Sequence, residues 1–261
     1  MNRTPITVDP EMYPSSFRPL LRSAQLYDSS CSRLAQVIFI DADDGYYLKS
    51  APKGSLADEA MLTRFFYEKN LGAQVLAYES AERDWLLTAR VPGEDATYAD
   101  YLAQPMRLAE VLGEKLRMLH ETDPTGCPVP NRMETYWAAV RTNYEAKAYD
   151  ASLFPDNWGY ASAEEAWQVV QTYGNQLSGK TLLHGDYCLP NIMLQDWRFS
   201  GFIDVDHGGV GDRHIDLFWG VWSLQFNLKT DRYRERFLDA YGRDQIHTEL
   251  FRVVAAAEVF G

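Results

Sequence analysis

The segment 184–191 reads HGDYCLPN and contains the residue types that phosphoryl transfer to a hydroxyl group requires. That reaction needs a carboxylate that orients the attacking hydroxyl and accepts its proton, and oxygen ligands that hold Mg²⁺ against the phosphates. Asp186 and, five residues later, Asn191 have a spacing that such sites use. The same pattern arises by chance in about one chain in a hundred of this composition, so the motif alone is suggestive.

A second motif, which contains two aspartates, follows the segment 184–191 and is close enough in sequence to contribute to the same metal site. Asp204 comes thirteen residues after Asn191, at the end of a predicted short strand, and Asp206 follows it. A carboxylate there completes a metal site in the way that the DFG aspartate does in protein kinases. Taken alone, Asp204 and Asp206 would be strand-end turn residues. The two motifs together favour a metal site.

A lysine in the N-terminal part has the sequence context of a phosphate ligand. Lys49 lies in a predicted strand and Glu59 lies on the helix that follows, which is the order of the lysine–glutamate pair of kinases. An exposed edge lysine is the alternative, and Asp58 is a second candidate partner. The polar loop 28–32 occupies the position of a phosphate-covering loop, although it lacks the glycines of G-x-G-x-x-G.

The elements that must position these residues change character along the chain. Residues 1–22 contain four prolines and are predicted to be an extended arm. Strands are predicted at 34–40, 46–50, 75–78 and 85–89, with a helix at 56–70. Beyond residue 93 the pattern predicts helices at 105–121, 162–174, 217–228 and 231–241, and a hairpin of strands 192–194 and 199–203. We therefore predict a two-lobed α+β fold, with lobes 1–93 and 94–261.

Composition excludes several classes of partner. The chain has 261 residues, 46% of them apolar, and a formal net charge of −12. Such a charge disfavours nucleic acid and anionic membranes as partners, and it attracts cationic ligands. The three cysteines form no CxxC pair, and the N-terminus has no apolar segment typical of a signal peptide. We expect a soluble, cytoplasmic protein.

Three segments resemble the aminoglycoside phosphotransferases, specifically the 3′-phosphotransferase type. These are 184–191, the stretch FID at 202–204, and LRMLHETDPTGCP at 116–128. The resemblance runs from about residue 28 to the C-terminus. The H-G-D-x-x-x-x-N motif is shared with choline kinases, whereas L-H-x-x-D-x-x-x-C-P narrows the resemblance to the aminoglycoside enzymes. It implies a protein-kinase-like fold with an antiparallel N-terminal lobe and a mostly helical C-terminal lobe.

The resemblance also implies roles for individual residues. Asp186 is implied as the catalytic base, Asn191 and Asp204 as magnesium ligands, and Lys49 with Glu59 as the pair over the phosphates. The remaining nucleotide positions are Tyr47 stacked on adenine, the hinge positions Ala89 and Val91, and Ser32 in the phosphate loop with a spacing off by one residue. Asp216 resembles the aspartate that braces the catalytic loop.

The implied substrate positions lie in the C-terminal lobe. Asn131, Asp156 and Glu258 match positions that bind ammonium groups in the family. Gly159 and Ala257 stand where some relatives have acidic residues, His207 replaces an arginine, and Gly261 follows Phe260. Fewer carboxylates predict a narrower range of substrates.

We therefore expect an enzyme that transfers phosphate from ATP or GTP, with Mg²⁺, to a hydroxyl of a cationic small molecule, an aminoglycoside antibiotic. Two alternatives stay open. A kinase of another small alcohol, such as choline, a sugar or a macrolide, would share the nucleotide residues and differ in the substrate pocket. A pseudokinase would bind nucleotide without turnover, and it would not need the base Asp186.

Overall fold

The computed structural model describes residues 3–31, 35–149 and 159–261. The chain divides into two compact units. The N-terminal unit contains Met1–Asp95 and Pro190–Asp206, and the C-terminal unit contains Ala96–Leu189 and His207–Gly261.

Strands and helices make up most of both units, which gives the predicted α+β class. The described residues form eleven strands: β1 (Thr4–Ile6), β2 (Gln25–Asp28), β3 (Gln36–Asp41), β4 (Tyr46–Pro52), β5 (Val75–Ser80), β6 (Arg83–Ala89), β7 (Glu94–Asp95), β8 (Thr181–Leu183), β9 (Ile192–Gln195), β10 (Arg198–Phe202) and β11 (Gly209–Gly211). The same ranges form nine α-helices: α1 (Arg18–Ser23), α2 (Ala57–Glu68), α3 (Ala99–Leu102), α4 (Pro105–His120), α5 (Arg132–Ala146), α6 (Ala163–Tyr173), α7 (His214–Leu228), α8 (Arg234–Tyr241) and α9 (Leu250–Glu258).

The N-terminal unit is built on a six-stranded antiparallel sheet in the order β1-β2-β3-β4-β6-β5. The predicted hairpin of β3 and β4 is confirmed, and so are the strands β5 and β6 and the helix α2. Strand β4 lies between β3 and β6, so its residues are held on both sides by backbone hydrogen bonds.

The prediction of an extended arm over residues 1–22 is wrong. Strand β1 pairs with β2 at the edge of the sheet, and α1 begins next to Pro19. Tyr13, Phe17 and Leu21 are buried in the core beneath the sheet. Proline is tolerated in an edge strand and in the first turn of a helix, so the prolines do not exclude either element.

The segment 190–206 groups with the N-terminal unit, although the sequence placed everything after residue 93 in one lobe. Strands β9 and β10 form a hairpin, and β9 also pairs with β7. The amide of Phe202 donates to the carbonyl of Leu71 at 2.7 Å. These backbone hydrogen bonds connect segments far apart in sequence, and they tie the hairpin to the N-terminal residues.

The C-terminal unit is mostly helical, and most of its predicted helices are confirmed. Helix α4 buries the predicted apolar face, Leu108, Leu112, Leu116 and Leu119. The predicted cap of α6 forms, since Ser162 Oγ accepts from the amide of Glu165 at 3.1 Å. Helix α7 begins three residues before the predicted position and α8 begins three residues after it. A short ladder of β8 and β11 completes the unit.

Three helices of this unit, the short α3 and the longer α5 and α9, lack a prediction from sequence. Helix α5 buries only Val140 among its residues, so its apolar pattern is weak. Helix α9 buries eight of its nine residues, so it has no polar face that would reveal helical periodicity. Within the described ranges, no helix has the length and apolar character needed to cross a membrane.

The packing of α4 against α8 predicts a requirement for glycine. A Cβ atom on Gly113 would lie 2.3 Å from the carbonyl oxygen of Phe237 and 2.9 Å from the amide nitrogen of Tyr241. Backbone atoms of a helix cannot move aside cheaply, so we expect Gly113→Ala to lower the free energy of unfolding by about 1–3 kcal/mol. Urea denaturation followed by circular dichroism measures this change.

The exposed neighbour Glu114 provides the control for this prediction. Glu114→Ala changes a side chain on the solvent face of the same helix, so its effect should stay within about 0.5 kcal/mol. Alanine at position 113 also gains about 1 kcal/mol of helix propensity. A Gly113→Ala variant more stable than the wild type by about that amount would show that the two helices separate without cost.

Candidate active site

Lys49 lies in the centre of the N-terminal sheet and contacts two carboxylates. Its Nζ atom is 2.8 Å from Oε2 of Glu59, in the first turn of α2, and 2.6 Å from Oδ1 of Asp204. The side chain of Lys49 is 18% exposed, that of Glu59 7% and that of Asp204 50%. Lys49 is therefore not an exposed edge residue, and Glu59 rather than Asp58 is its partner on the helix.

The charge of Lys49 is maintained by its neighbours. Burial alone would lower the pKa of Lys49, because an ammonium group is less stable away from water. The carboxylates of Glu59 and Asp204 outweigh burial and raise the pKa of Lys49 well above its ordinary value. Lys49 is thus a positive charge at every physiological pH, fixed in a strand of the sheet.

Asn191 and Asp204 are brought together by the β9–β10 hairpin. Asn191 directly precedes β9, Asp204 comes two residues after β10, and the amide of Ile203 donates to the carbonyl of Asn191 at 3.1 Å. Asp204 has a left-handed backbone, with φ of 59°. Carboxylate and amide oxygens suit Mg²⁺, which takes its other ligands from water and substrate phosphates. The two residues therefore fit a magnesium site.

Tyr47 is supported by two residues that sequence reasoning missed. Arg3 donates to the Tyr47 hydroxyl at 2.9 Å, and its guanidinium lies 3.5 Å from the centre of the Phe39 ring. The rings of Phe39 and Tyr47 are 5.1 Å apart. The three residues form one aromatic and cationic cluster on the sheet. Only the pairing of β1, β2 and β3 brings these residues together. No local sequence pattern therefore predicts the cluster.

The predicted hinge positions lie at the end of β6 and just after it. The amide of Ala89 donates to the carbonyl of Gln74 at 2.9 Å. In a hydrogen bond between Ala89 and a nucleotide base, the carbonyl of Ala89 must therefore accept from the base. The side chain of Val91 is buried with Ala73 and Met193, which fixes the backbone at this point. Ser32, the remaining nucleotide position, lies outside the described residues, as does the substrate position Asp156.

In the C-terminal unit, the loop that carries Asp186 is fixed by the carboxylate of Asp216. The amides of His184 and Gly185 donate to Asp216 Oδ2 and Oδ1, each at 2.8 Å. Asp216 lies in the first turn of α7 and is completely buried. Hydrogen bonds to a buried ionised group contribute about 1.5–3 kcal/mol each. The brace that the resemblance implied for Asp216 is present in the structure.

His120 continues this network into the core. Its Nε2 atom is 3.1 Å from Asp216 Oδ2, and its Nδ1 atom is 2.8 Å from the hydroxyl of Tyr241. Burial lowers the pKa of His120, so the imidazole is neutral. A carboxylate can only accept, so Nε2 carries the proton and Nδ1 accepts from Tyr241. This buried position gives His120 a structural role.

The rest of the loop is anchored from several sides. The Tyr187 hydroxyl donates to the carbonyl of Leu112 at 2.7 Å, and the amide of Leu189 donates to Ser223 Oγ at 3.0 Å. Gly185 has φ of +86°, and a Cβ atom there would lie 1.9 Å from the carbonyl oxygen of His207. Only glycine satisfies both conditions. The backbone on both sides of Asp186 is therefore rigid.

Glu258, at the end of α9, is a buried acid in the same unit. It is 8% exposed, and its Oε1 accepts from the Tyr136 hydroxyl at 2.8 Å. Burial raises the pKa of Glu258 to about 7, against the opposing effects of Tyr136 and Trp219, which hydrogen bond to it, and of His207. The charge of Asp186 also raises the pKa of Glu258, so the two carboxylates are close enough to interact.

Asn131 precedes α5 and is exposed. Its carbonyl accepts from the amide of Glu134 at 3.0 Å, which leaves its side-chain amide uninvolved in that turn. The chain just before it is also fixed, since the amide of Val210 donates to the carbonyl of Val129 at 2.8 Å. Asn131 thus follows a segment paired with β11.

Comparisons with known proteins agree with this arrangement. The model of the phosphotransferase enzyme family matches residues 32–253. The chain is 45% identical to a probable aminoglycoside 3′-phosphotransferase of Lactococcus lactis, over 100% of this chain and 99% of that protein.

Solved structures show the same fold. A crystal structure of an aminoglycoside 3′-phosphotransferase of type VIII aligns with a TM-score of 0.76 at 20% identity, over 95% of this chain and 100% of that one. An aminoglycoside phosphotransferase from Streptomyces rimosus, solved with ADP and streptomycin, aligns with a TM-score of 0.73 at 23% identity, over 95% and 98% of the chains.

The chain belongs to the phosphotransferase enzyme family and has the kinase-like α+β fold of the aminoglycoside phosphotransferases. The resemblance found in the sequence is thereby confirmed. The protein is an enzyme that transfers a phosphoryl group to an alcohol acceptor.

The geometry of Gly185 predicts that the loop 184–191 tolerates no side chain at this position. Gly185→Ala introduces both an unfavourable backbone angle and an overlap with His207, so we expect at least a ten-fold loss of kcat and about 2–4 kcal/mol of stability. Denaturation and an ADP-release assay measure the two effects.

A substitution at Gly126 distinguishes the effect of the unfavourable backbone angle from the effect of the overlap with a neighbouring residue. It has φ of +83°, but a Cβ atom there would meet nothing within 4 Å. Gly126→Ala should therefore cost only the backbone strain, about 1–2 kcal/mol, and leave kcat unchanged. Equal effects of the two substitutions would mean that the contact with His207 is unimportant.

Proposed function

We propose that the protein transfers the γ-phosphate of ATP to the 3′ hydroxyl of an aminoglycoside antibiotic, and thereby confers resistance. The observation that carries this proposal is the position of Lys49 between Glu59 and Asp204, at 2.8 and 2.6 Å. A lysine held between a helix carboxylate and a potential metal ligand is the arrangement that binds nucleotide phosphates in kinases.

In this proposal each residue has a defined task. The substrate hydroxyl oxygen attacks the γ-phosphorus, Asp186 accepts the proton of that hydroxyl, and the bond to the β,γ-bridging oxygen breaks so that ADP leaves. Lys49 binds the α- and β-phosphates. Asn191 and Asp204 hold Mg²⁺, which supplies positive charge against the phosphates. Catalysis rests on positioning and on charge neutralisation, because the reaction needs no covalent intermediate with the protein.

The nucleotide base is assigned to the N-terminal unit. Tyr47 stacks on adenine, the carbonyl of Ala89 accepts from it and the amide of Val91 donates to it. The ADP bound to the Streptomyces rimosus structure supports an adenine nucleotide as donor. The three cysteines, which are all in the described residues, are free thiols, as is typical of the reducing cytoplasm. The use of ATP also fits a cytoplasmic enzyme.

Charge supports a polycationic substrate. Ammonium groups leaving water need acceptors, and the proposal assigns Glu258, Asp156 and Asn131 to this task. The net charge of −12 attracts polycations from a distance. The Lactococcus lactis relative, identical at 45% of positions along the whole chain, carries the name of a 3′-phosphotransferase. Glycine at 159 and alanine at 257 predict a narrower substrate range than that of relatives with acids there.

An ADP-release assay across kanamycin-like aminoglycosides, streptomycin, choline, sugars and macrolides tests the function. We expect turnover with 3′-hydroxylated aminoglycosides, and Asp186→Asn should lower kcat about 100-fold or more while ATP binding stays nearly intact, since a general base contributes that much. Mass spectrometry and NMR of the product identify the phosphorylated hydroxyl.

Different outcomes reject different parts of the proposal. If the enzyme phosphorylates choline, a sugar or a macrolide but no aminoglycoside, the proposed substrate class is wrong and only the assignment as a kinase remains. Nucleotide binding without turnover of any acceptor supports the pseudokinase alternative. If Asp186→Asn retains nearly full kcat, Asp186 is not the base.

The magnesium site predicts that tight ATP binding needs the metal and Asp204. We expect calorimetry to show weaker ATP binding with a chelator than with Mg²⁺, and Asp204→Asn should remove most of that difference. Asp206→Asn is the matched control, because it removes the same charge two residues away and should preserve the difference. Circular dichroism checks that both variants fold. Equal ATP affinity with and without Mg²⁺ in the wild type would contradict the assignment.

A further inference from the structure

Tyr136 connects α5 to the buried carboxylate of Glu258 on α9. Its hydroxyl donates to Glu258 Oε1 at 2.8 Å, across 122 positions of sequence. Burial, together with the charge of Glu258, raises the pKa of Tyr136 well above its ordinary value. The phenol is therefore always protonated, and towards a carboxylate it can only donate.

The end of α9 is held to α5 by contacts that do not involve Tyr136. Asn143 Nδ2 donates to the carbonyl of Phe260 at 2.8 Å. The ring of Phe260 makes edge contacts with Tyr144 and Trp167, which stack on each other with 4.2 Å between their centres. Removing only the hydroxyl of Tyr136 thus leaves this aromatic box, and the backbone at Glu258, in place.

The groups around Glu258 decide its charge. Donors come from Tyr136 on α5 and Trp219 on α7, His207 lies nearby, and Asp186 on the catalytic loop repels a second negative charge. Arg132 and Asp212, in turn, act on Tyr136. The balance of burial against these groups raises the pKa of Glu258 to about 7. Near neutral pH the carboxyl group is therefore about half ionised, and a single lost hydrogen bond changes the ionised fraction.

We propose that Tyr136 is a positioning residue that keeps Glu258 ionised and oriented for an ammonium group of the substrate. The inference rests on the proposed function, which assigns Glu258 to the substrate. A carboxylate attracts an ammonium group, whereas a neutral carboxyl group does not, so Tyr136 sets the pH above which a cationic substrate binds well. Because Tyr136 acts through Glu258, it affects substrate binding and not nucleotide binding.

The sign of the effect follows from the acid. As pH rises through about 7, Glu258 loses its proton and the affinity for a cation increases. Tyr136→Phe removes a donor that favours the ionised form of Glu258. The increase in affinity for the cationic substrate should therefore occur at higher pH. At pH 7 the KM for an aminoglycoside should increase about five- to ten-fold, with kcat within about two-fold. At pH 9 most of the difference should disappear, and the KM for ATP should not change.

Two variants accompany Tyr136→Phe in steady-state kinetics from pH 6 to 9. Tyr144→Phe removes a hydroxyl from the same helix and keeps the ring that stacks on Trp167, so its pH profile should match the wild type. The side chain at position 258 cannot ionise in Glu258→Gln. The KM of this variant for the aminoglycoside should therefore be high and should not fall as the pH increases through 7. If Tyr136→Phe has the same profile as Tyr144→Phe, Tyr136 has no role in substrate binding and the proposal is overturned.

A direct titration separates this proposal from the proposed function. Carbon-13 NMR of glutamate carboxyl groups in the substrate-free protein, with Glu258 assigned by its loss in Glu258→Gln, reports ionisation without any turnover. We expect a midpoint near 7 in the wild type and a higher midpoint in Tyr136→Phe. An unchanged midpoint overturns the inference even if aminoglycosides are substrates. A shifted midpoint without aminoglycoside turnover supports the control of Glu258 by Tyr136 and rejects the substrate assignment.

Discussion

The position of the loop that carries Asp186 depends on one buried carboxylate, that of Asp216. It accepts hydrogen bonds from two successive amides, of His184 and Gly185, and from the neutral imidazole of His120. A completely buried carboxylate is stable only when such donors surround it, so the loop, the first turn of α7 and the imidazole of His120 stabilise one another. Asp186 is the residue directly after these two amides, and its position is a consequence of this network.

The N-terminal unit uses charge in a different way. Glu59 is buried and pairs with Lys49, while Asp204 is half exposed and contacts the same ammonium group. The buried partner fixes the lysine, and the exposed partner remains accessible to a metal ion. In the proposed function, the rigid pair provides the positive charge for the phosphates and the accessible acid provides a ligand for Mg²⁺. The β9–β10 hairpin is essential to this arrangement, because it carries Asn191 and Asp204 into the unit that contains Lys49.

The burial of Glu258 has a cost for its proposed role in substrate binding. Its burial raises the pKa to about 7, so the group that is proposed to attract a cation is close to losing its charge. Donors from Tyr136 and Trp219 oppose that loss. A buried carboxylate with few water contacts interacts strongly with an ammonium group, since the local dielectric constant is low. Affinity for a cation and sensitivity to pH therefore have the same physical origin.

The sequence by itself determined the chemistry, the class of fold and most central strands and helices. The spacing from Asp186 to Asn191 and on to Asp204, and the order of Lys49 and Glu59, are local patterns that a single chain displays. Tertiary structure alone decided which residues support them. The bond from Tyr136 to Glu258, the contact of Arg3 with Tyr47 and the link from His120 to Asp216 join positions far apart in sequence. Hydrogen bonds of this kind leave no periodicity or spacing in the chain, because they arise only when separate elements pack.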